Sequence, residues 1–171
     1  MSLTVGWLMI IYHPFKDANH CSYRIISLLY KNNSKIRDEH LNFMDFYYLF
    51  PCQMQNIDGW PRSNSKLARQ ISTIAHSYET IENPRRIFFE LNIIRKNTLA
   101  HLFSKGILSL IDEYIFLNIE RIPASLINTL AADTFRASFE FTTIANEIPK
   151  LAIKGKKGLK AKTNLMEYRY D

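Results

Sequence analysis

His13, Asp17 and His20 straddle a proline-containing turn, and two imidazoles with a carboxylate form a set that can hold a metal ion. Three such residues also arise often by chance, so histidines bonding the backbone around a helix start is the weightier reading. Asp45 interrupts the apolar run Leu41-Asn-Phe-Met-Asp-Phe-Tyr-Tyr-Leu-Phe50. A carboxylate there needs a partner, and catalysis would need a perturbed pKa. No nucleophile or second carboxylate stands beside it, so a structural ion pair with Arg24 or an exposed neighbour is expected.

Arg85 and Arg86 open a helix after Asn83-Pro84, where cations oppose the helix dipole. A phosphate or a partner's carboxylates would offset that, and so would solvent near Glu82 and Glu90. Trp60 and Arg62 in Trp60-Pro61-Arg62 are typical anchors of protein interfaces, although a Trp plugging the core edge fits equally. Arg95, Lys96, Asn97, His101 and Lys105 read as the polar positions of a following helix, and Arg and Asn can read base edges in a major groove.

Other signatures are missing. The five glycines form no P-loop, and Gly155-Lys156 lacks the earlier glycine and the following Ser or Thr. There is no G-x-S-x-G, C-x-x-C or H-E-x-x-H. No catalytic residue, metal or cofactor is expected.

A chain of 171 residues with 47% hydrophobic content can bury a core. Cys21 and Cys52 lack metal-ligand spacing and point weakly to a reducing compartment. The apolar start has no basic leader, and no run reaches the roughly 18 apolar residues of a membrane helix. The cytoplasm is the expected location, with no membrane partner. The net charge is +6, and +5 of it falls between Lys150 and Asp171. Residues 1–149 therefore read as one near-neutral helical domain and 150–171 as a basic tail. Lys154, Lys156, Lys157, Lys160 and Lys162 are its candidate nucleic-acid contacts, against the plainer reading of a solvated terminus.

The elements that must position these groups are mainly helical, an α+β arrangement. Asp17 or Asn19 caps a helix carrying Ile25, Ile26, Leu28 and Leu29. Asp38 caps a second helix that Pro51 stops. It is apolar almost all round and so central. A loop spans 52–63, a third helix Ser65 to Tyr78, and a last helix Pro123 to about Glu147. Leu165 to Tyr170 forms a possible strand. Between Asn83 and Ile119 the pattern predicts a helix, a tight break, a second helix ending at Lys105-Gly106, and a hairpin. That hairpin pairs Ile107–Ile111 with Tyr114–Ile119 across Asp112-Glu113. This layout is winged-helix-like. Its acidic wing turn counts against duplex DNA as the ligand.

Tyr12-His-Pro-Phe-Lys-Asp-Ala-Asn-His-Cys-Ser-Tyr-Arg-Ile-Ile-Ser-Leu-Leu-Tyr30 and Leu41 to Pro51 resemble the middle-component family of bacterial three-component ABC systems. Asn83-Pro-Arg-Arg-Ile-Phe-Phe-Glu-Leu91 and His101-Leu-Phe-Ser-Lys-Gly-Ile107 are similar too, so the likeness runs from about Tyr12 to Ile148. It implies a non-catalytic adaptor between a large SMC-like ABC ATPase and an effector such as a nuclease. The setting would be Lamassu-like defence against phages or plasmids, with DNA contacted through the complex. Candidate partner-binding residues are His13, Phe15, Trp60, Arg62, Arg85 and Arg86. The alternative is a winged-helix DNA-binding transcriptional regulator.

Overall fold

The computed structural model describes residues 14–32, 35–76 and 81–166, without the Phe15 side chain. It is mainly helical with one small antiparallel sheet, as the patterning requires. Helix α1 spans Ala18–Lys31, β1 Lys35–Arg37, α2 Asp38–Leu49, α3 Lys66–Ser72 and α4 Pro84–Ser104. Strands β2 (Leu108–Ile111) and β3 (Tyr114–Leu117) follow, then α5 (Ala124–Ala132), α6 (Phe139–Glu147) and α7 (Leu159–Thr163).

Helix α2 is central, as its apolar circumference demands. Leu41, Phe43, Met44, Phe46 and Tyr47 are almost wholly buried. Asp38 opens this helix but does not cap it. The cap position is Arg37, and Asp38 and Glu39 instead place negative charge at the positive end of the helix dipole. Phe50 ends the helix and Pro51 begins a 3-10 turn, Pro51–Asn56, that buries Cys52 and Met54 where a plain loop is expected.

The predicted helix–break–helix after Asn83 is one continuous helix of 21 residues. No Gly or Pro follows its first position. Phe88, Leu91, Arg95, Thr98, Leu99 and Leu102 keep one buried face along its length. Its end is the predicted one. Gly106 has φ +67, its N–H reaches the Phe103 carbonyl, and the Ile107 N–H reaches Leu102. Those paired bonds close the last turn, and Gly106 takes the left-handed conformation without a Cβ penalty.

The chain then turns back as the predicted hairpin, with Asp112 at φ 56 between the strands. A third strand, β1, pairs with β3 and gives the order β1-β3-β2. Three residues carry too little alternation to announce a strand.

Two further expectations change. Helix α3 is shorter than Ser65 to Tyr78. Ser65 caps it, and the Gln55 amide takes the carbonyls of Ile71 and Ile74 at 3.0 Å, closing the end; Tyr78 lies outside the described residues. The last long helix is two, α5 and α6. Between them Asp133 Oδ1 accepts the Phe135 N–H, and Ser138 caps α6 through the Phe141 N–H. These short side chains offer the backbone partners that compete with helix.

From Pro149 to Met166 the chain stays on the core. Ile153, Leu159 and Leu165 are buried, the His40 imidazole meets the Leu151 carbonyl at 2.8 Å, and the Asp58 N–H donates to the Lys162 carbonyl at 2.9 Å. Of the possible strand Leu165 to Tyr170, residues 167–170 lie outside the described residues. Among the described residues no helix is long and apolar enough to cross a membrane.

Candidate interaction surface

Of the groups that look chemical in the sequence, Asp17, His20 and Asp45 are engaged inside the fold. Asp17 Oδ1 accepts the N–H groups of Asn19 at 2.7 Å and His20 at 3.2 Å, so it caps α1. Asp17→Ala is expected to lower stability by about 1 kcal/mol, read from urea denaturation. The His20 imidazole faces the Arg24 guanidinium at 2.8 Å; burial first, then the Arg24 charge, holds its pKa below the usual value. His13 lies outside the described residues. Among the described residues no group of three or more His, Cys, Asp or Glu side chains could hold a metal ion.

Asp45 is the ion pair that its surroundings require. Its Oδ1 lies 2.6 Å from Arg24 Nε and its Oδ2 3.3 Å from Nη2, with both side chains fully buried. Burial opposes the Arg24 charge, but Asp45 and its hydrogen bonds outweigh that and raise the guanidinium pKa.

The partner-binding candidates scatter. Trp60 is half-buried against the core, while Arg62 is exposed on the following loop. Arg85 is exposed and bonds Asn164 through Oδ1 at 2.8 Å and the carbonyl at 3.3 Å, tying α4 to the C-terminal segment. Arg86 pairs with Glu90 at 2.9 Å. The five lysines have different surroundings. Lys156 and Lys157 are exposed on the turn before α7, Lys160 approaches Glu39 at 3.6 Å, and Lys162 is half-buried. Lys154 lines a groove between α4 and the hairpin.

That groove, about 680 Å³, brings several elements together. Lys96, Leu99, Ala100 and Phe103 of α4 form one wall; Leu110 and Ile115, directly opposite each other in the hairpin register, form the other. The start of α2 closes one end, where Arg37 pairs with Glu113 at 2.7 Å. The two elements that form its walls also carry apolar side chains open to solvent. Ile93 is 64% exposed, Phe89 46%, and Leu110 and Ile111 57% each.

Arg95 corrects the polar-face reading of this helix. Lys96, Asn97, His101 and Lys105 are exposed as expected, but Arg95 is 2% exposed and lines the groove. The signal was in the spacing. Arg95 sits four residues after Leu91 and four before Leu99, on the buried stripe itself.

A family model described as ABC-three component (ABC-3C) system Middle Component 5 matches residues 10–171. The match therefore includes the basic segment after Pro149, beyond the stretch where the likeness is legible by eye. No curated protein and no solved structure matches. A fold built around an apolar α2, with Arg24, Asp45 and Arg95 turned inward and apolar side chains exposed on α4 and the hairpin, is consistent with an accessory component. The chain belongs to the Middle Component 5 family of ABC-three component systems.

Proposed function

We propose that this accessory subunit is the non-catalytic adaptor of its system. It bridges an SMC-like ABC ATPase and an effector such as a nuclease, in Lamassu-like cytoplasmic defence against phages or plasmids. The observation that carries the reading is the exposed apolar surface of α4 and the hairpin, with Phe89, Ile93, Leu110 and Ile111 open to solvent. Large apolar side chains left open to solvent on a small subunit mark places where a partner docks. The order helix, strand, three helices, hairpin, with the first strand beside the last, supports a winged-helix-like core starting at α1, earlier than Asn83. Winged helices commonly bind protein or DNA, and the fold alone does not choose between them.

Coexpression with the neighbouring ATPase and effector tests this. The three chains copurify in one assembly, and Ile93→Asp with Leu110→Asp releases the adaptor while leaving it folded. Retention of this double variant in the assembly would sink the reading.

The DNA-binding regulator is the second reading, favoured by exposed Lys96, Asn97, His101 and Lys105 on α4 and by the lysines near α7. The acidic turn Asp112-Glu113 opposes it. If Lys154, Lys156, Lys157, Lys160 and Lys162 contact duplex phosphate within the complex, neutralising all five flattens the salt dependence of binding. Each phosphate left without its lysine reduces the logarithmic slope by about 0.9. An unchanged slope removes these lysines from any DNA interface.

A further inference from the structure

The floor of the groove between α4 and the hairpin holds a cation, Arg95, that no carboxylate among the described residues pairs with. Arg95 donates through Nη2 to Asn92 Oδ1 at 2.6 Å. Its Nε–H is buried without a hydrogen-bond partner, and so is Oδ1 of Asn42 in the same lining. Among the described residues no carboxylate pairs with Arg95. Burial lowers its guanidinium pKa, and the more distant Asp45 and Asp38 charges only partly compensate. Arg24, the other buried arginine, shows the contrast, because Asp45 meets it bidentately. A buried guanidinium without a close counter-ion is costly, and a ligand carboxylate would relieve that cost.

We infer that the groove receives a short segment of a partner protein in which one Asp or Glu side chain pairs with Arg95 and flanking apolar side chains pack on Leu99, Phe103 and Leu110. The charge of the lining sets this chemistry. Arg37 and Glu113 neutralise each other, and Glu39 faces Lys160. That leaves Arg95, Lys96 and Lys154 against Asp38 and Asp112, a small positive excess suited to one carboxylate. A nucleic-acid backbone would bring a row of phosphates against those acids. A planar guanidinium also meets a carboxylate with two parallel bonds, which sets register as well as affinity. The partner segment belongs to the ATPase or the effector, so the inference rests on the adaptor reading and specifies its docking chemistry.

The test uses the full chain in the coexpressed assembly. A benzophenone side chain at Ala100, on the groove wall, is photolysed, with Lys66 as an exposed control position, and the attached peptide is sequenced. The expected product is a segment of the ATPase or effector with Asp or Glu beside apolar residues. A synthetic peptide of that segment binds the chain; its Asp→Asn or Glu→Gln form, and the Arg95→Met chain, each weaken binding by about tenfold or more. Arg95→Met also melts no lower than the parent, because it removes an unpaired buried charge. Four results overturn the inference: crosslinking no stronger at Ala100 than at Lys66, crosslinking to nucleic acid, a peptide affinity that Arg95→Met changes less than about twofold, or a clear loss of stability in Arg95→Met. Absence of copurification with the ATPase overturns the adaptor reading and this inference with it. An intact assembly with any of the four overturns the groove alone.

Discussion

Asp45→Asn or Arg24→Met, made singly, destabilises the protein by about 3–5 kcal/mol. Either change leaves a fully buried charge without its counter-ion, because the pair meets at 2.6 and 3.3 Å with no solvent access to either side chain. Arg24 also reaches the Pro14 carbonyl at 3.3 Å and the His20 ring, so its loss frees two further groups at the start of α1. The double variant Arg24→Met with Asp45→Leu recovers most of the loss, because two apolar side chains of similar size remove both desolvation penalties. Urea denaturation of the parent, Arg24→Met, Asp45→Leu and the double variant forms a double-mutant cycle. Single variants as stable as the parent would mean that the pair does not hold α1 against α2.

The second large effect is expected where the basic segment meets the core. Leu159 is completely buried, and Leu159→Ala is expected to cost about 2–5 kcal/mol. Gly158, just before it, has no room for a side chain. A Cβ there would fall against the carbonyl oxygens of Ile153 and Lys154, which are backbone and yield less readily than a flexible side chain. Gly158→Ala is therefore expected to cost about 1–3 kcal/mol. It should also expose the Asp58 amide, whose acceptor is the Lys162 carbonyl, to faster hydrogen exchange. Lys157→Ala, on the exposed turn before it, is the control and stays within about 0.5 kcal/mol of the parent. Unchanged stability and exchange in Gly158→Ala would show that this segment is not held on the core.

The elements that depend on near neighbours were legible in the sequence. Asp17 caps α1 because an N-cap needs only a short side-chain acceptor next to the first free N–H groups. Pro51 stops α2, and Gly106 closes α4, because each acts through its own backbone. The all-round apolar run of α2 required a central position, and a carboxylate within it required a counter-ion; Asp45 and Arg24 supply both halves of that argument. The middle-component likeness was legible over the helices that carry this core, and the family match covers it and the segment beyond.

Where local signals competed, the tertiary structure decided. The run from Asn83 to Lys105 read as two helices with a tight break between them, yet one helix continues because the buried face from Phe88 to Leu102 is stabilised by packing along its whole length. The reverse occurs at Asp133, where a side chain's bond to the Phe135 N–H splits a run that reads as continuous helix. Strand β1 is too short to carry a pattern, and only its pairing with β3 creates it. Arg95 shows the same limit at the candidate site. Its spacing places it on the apolar stripe of α4, but the lack of a close carboxylate among the described residues follows from what α2 and the hairpin bring near it. An N-cap or a helix stop is settled within a few residues of backbone. The partner of a buried charge, or the groove above it, is settled by segments far apart in the chain, and those meet only when the core closes.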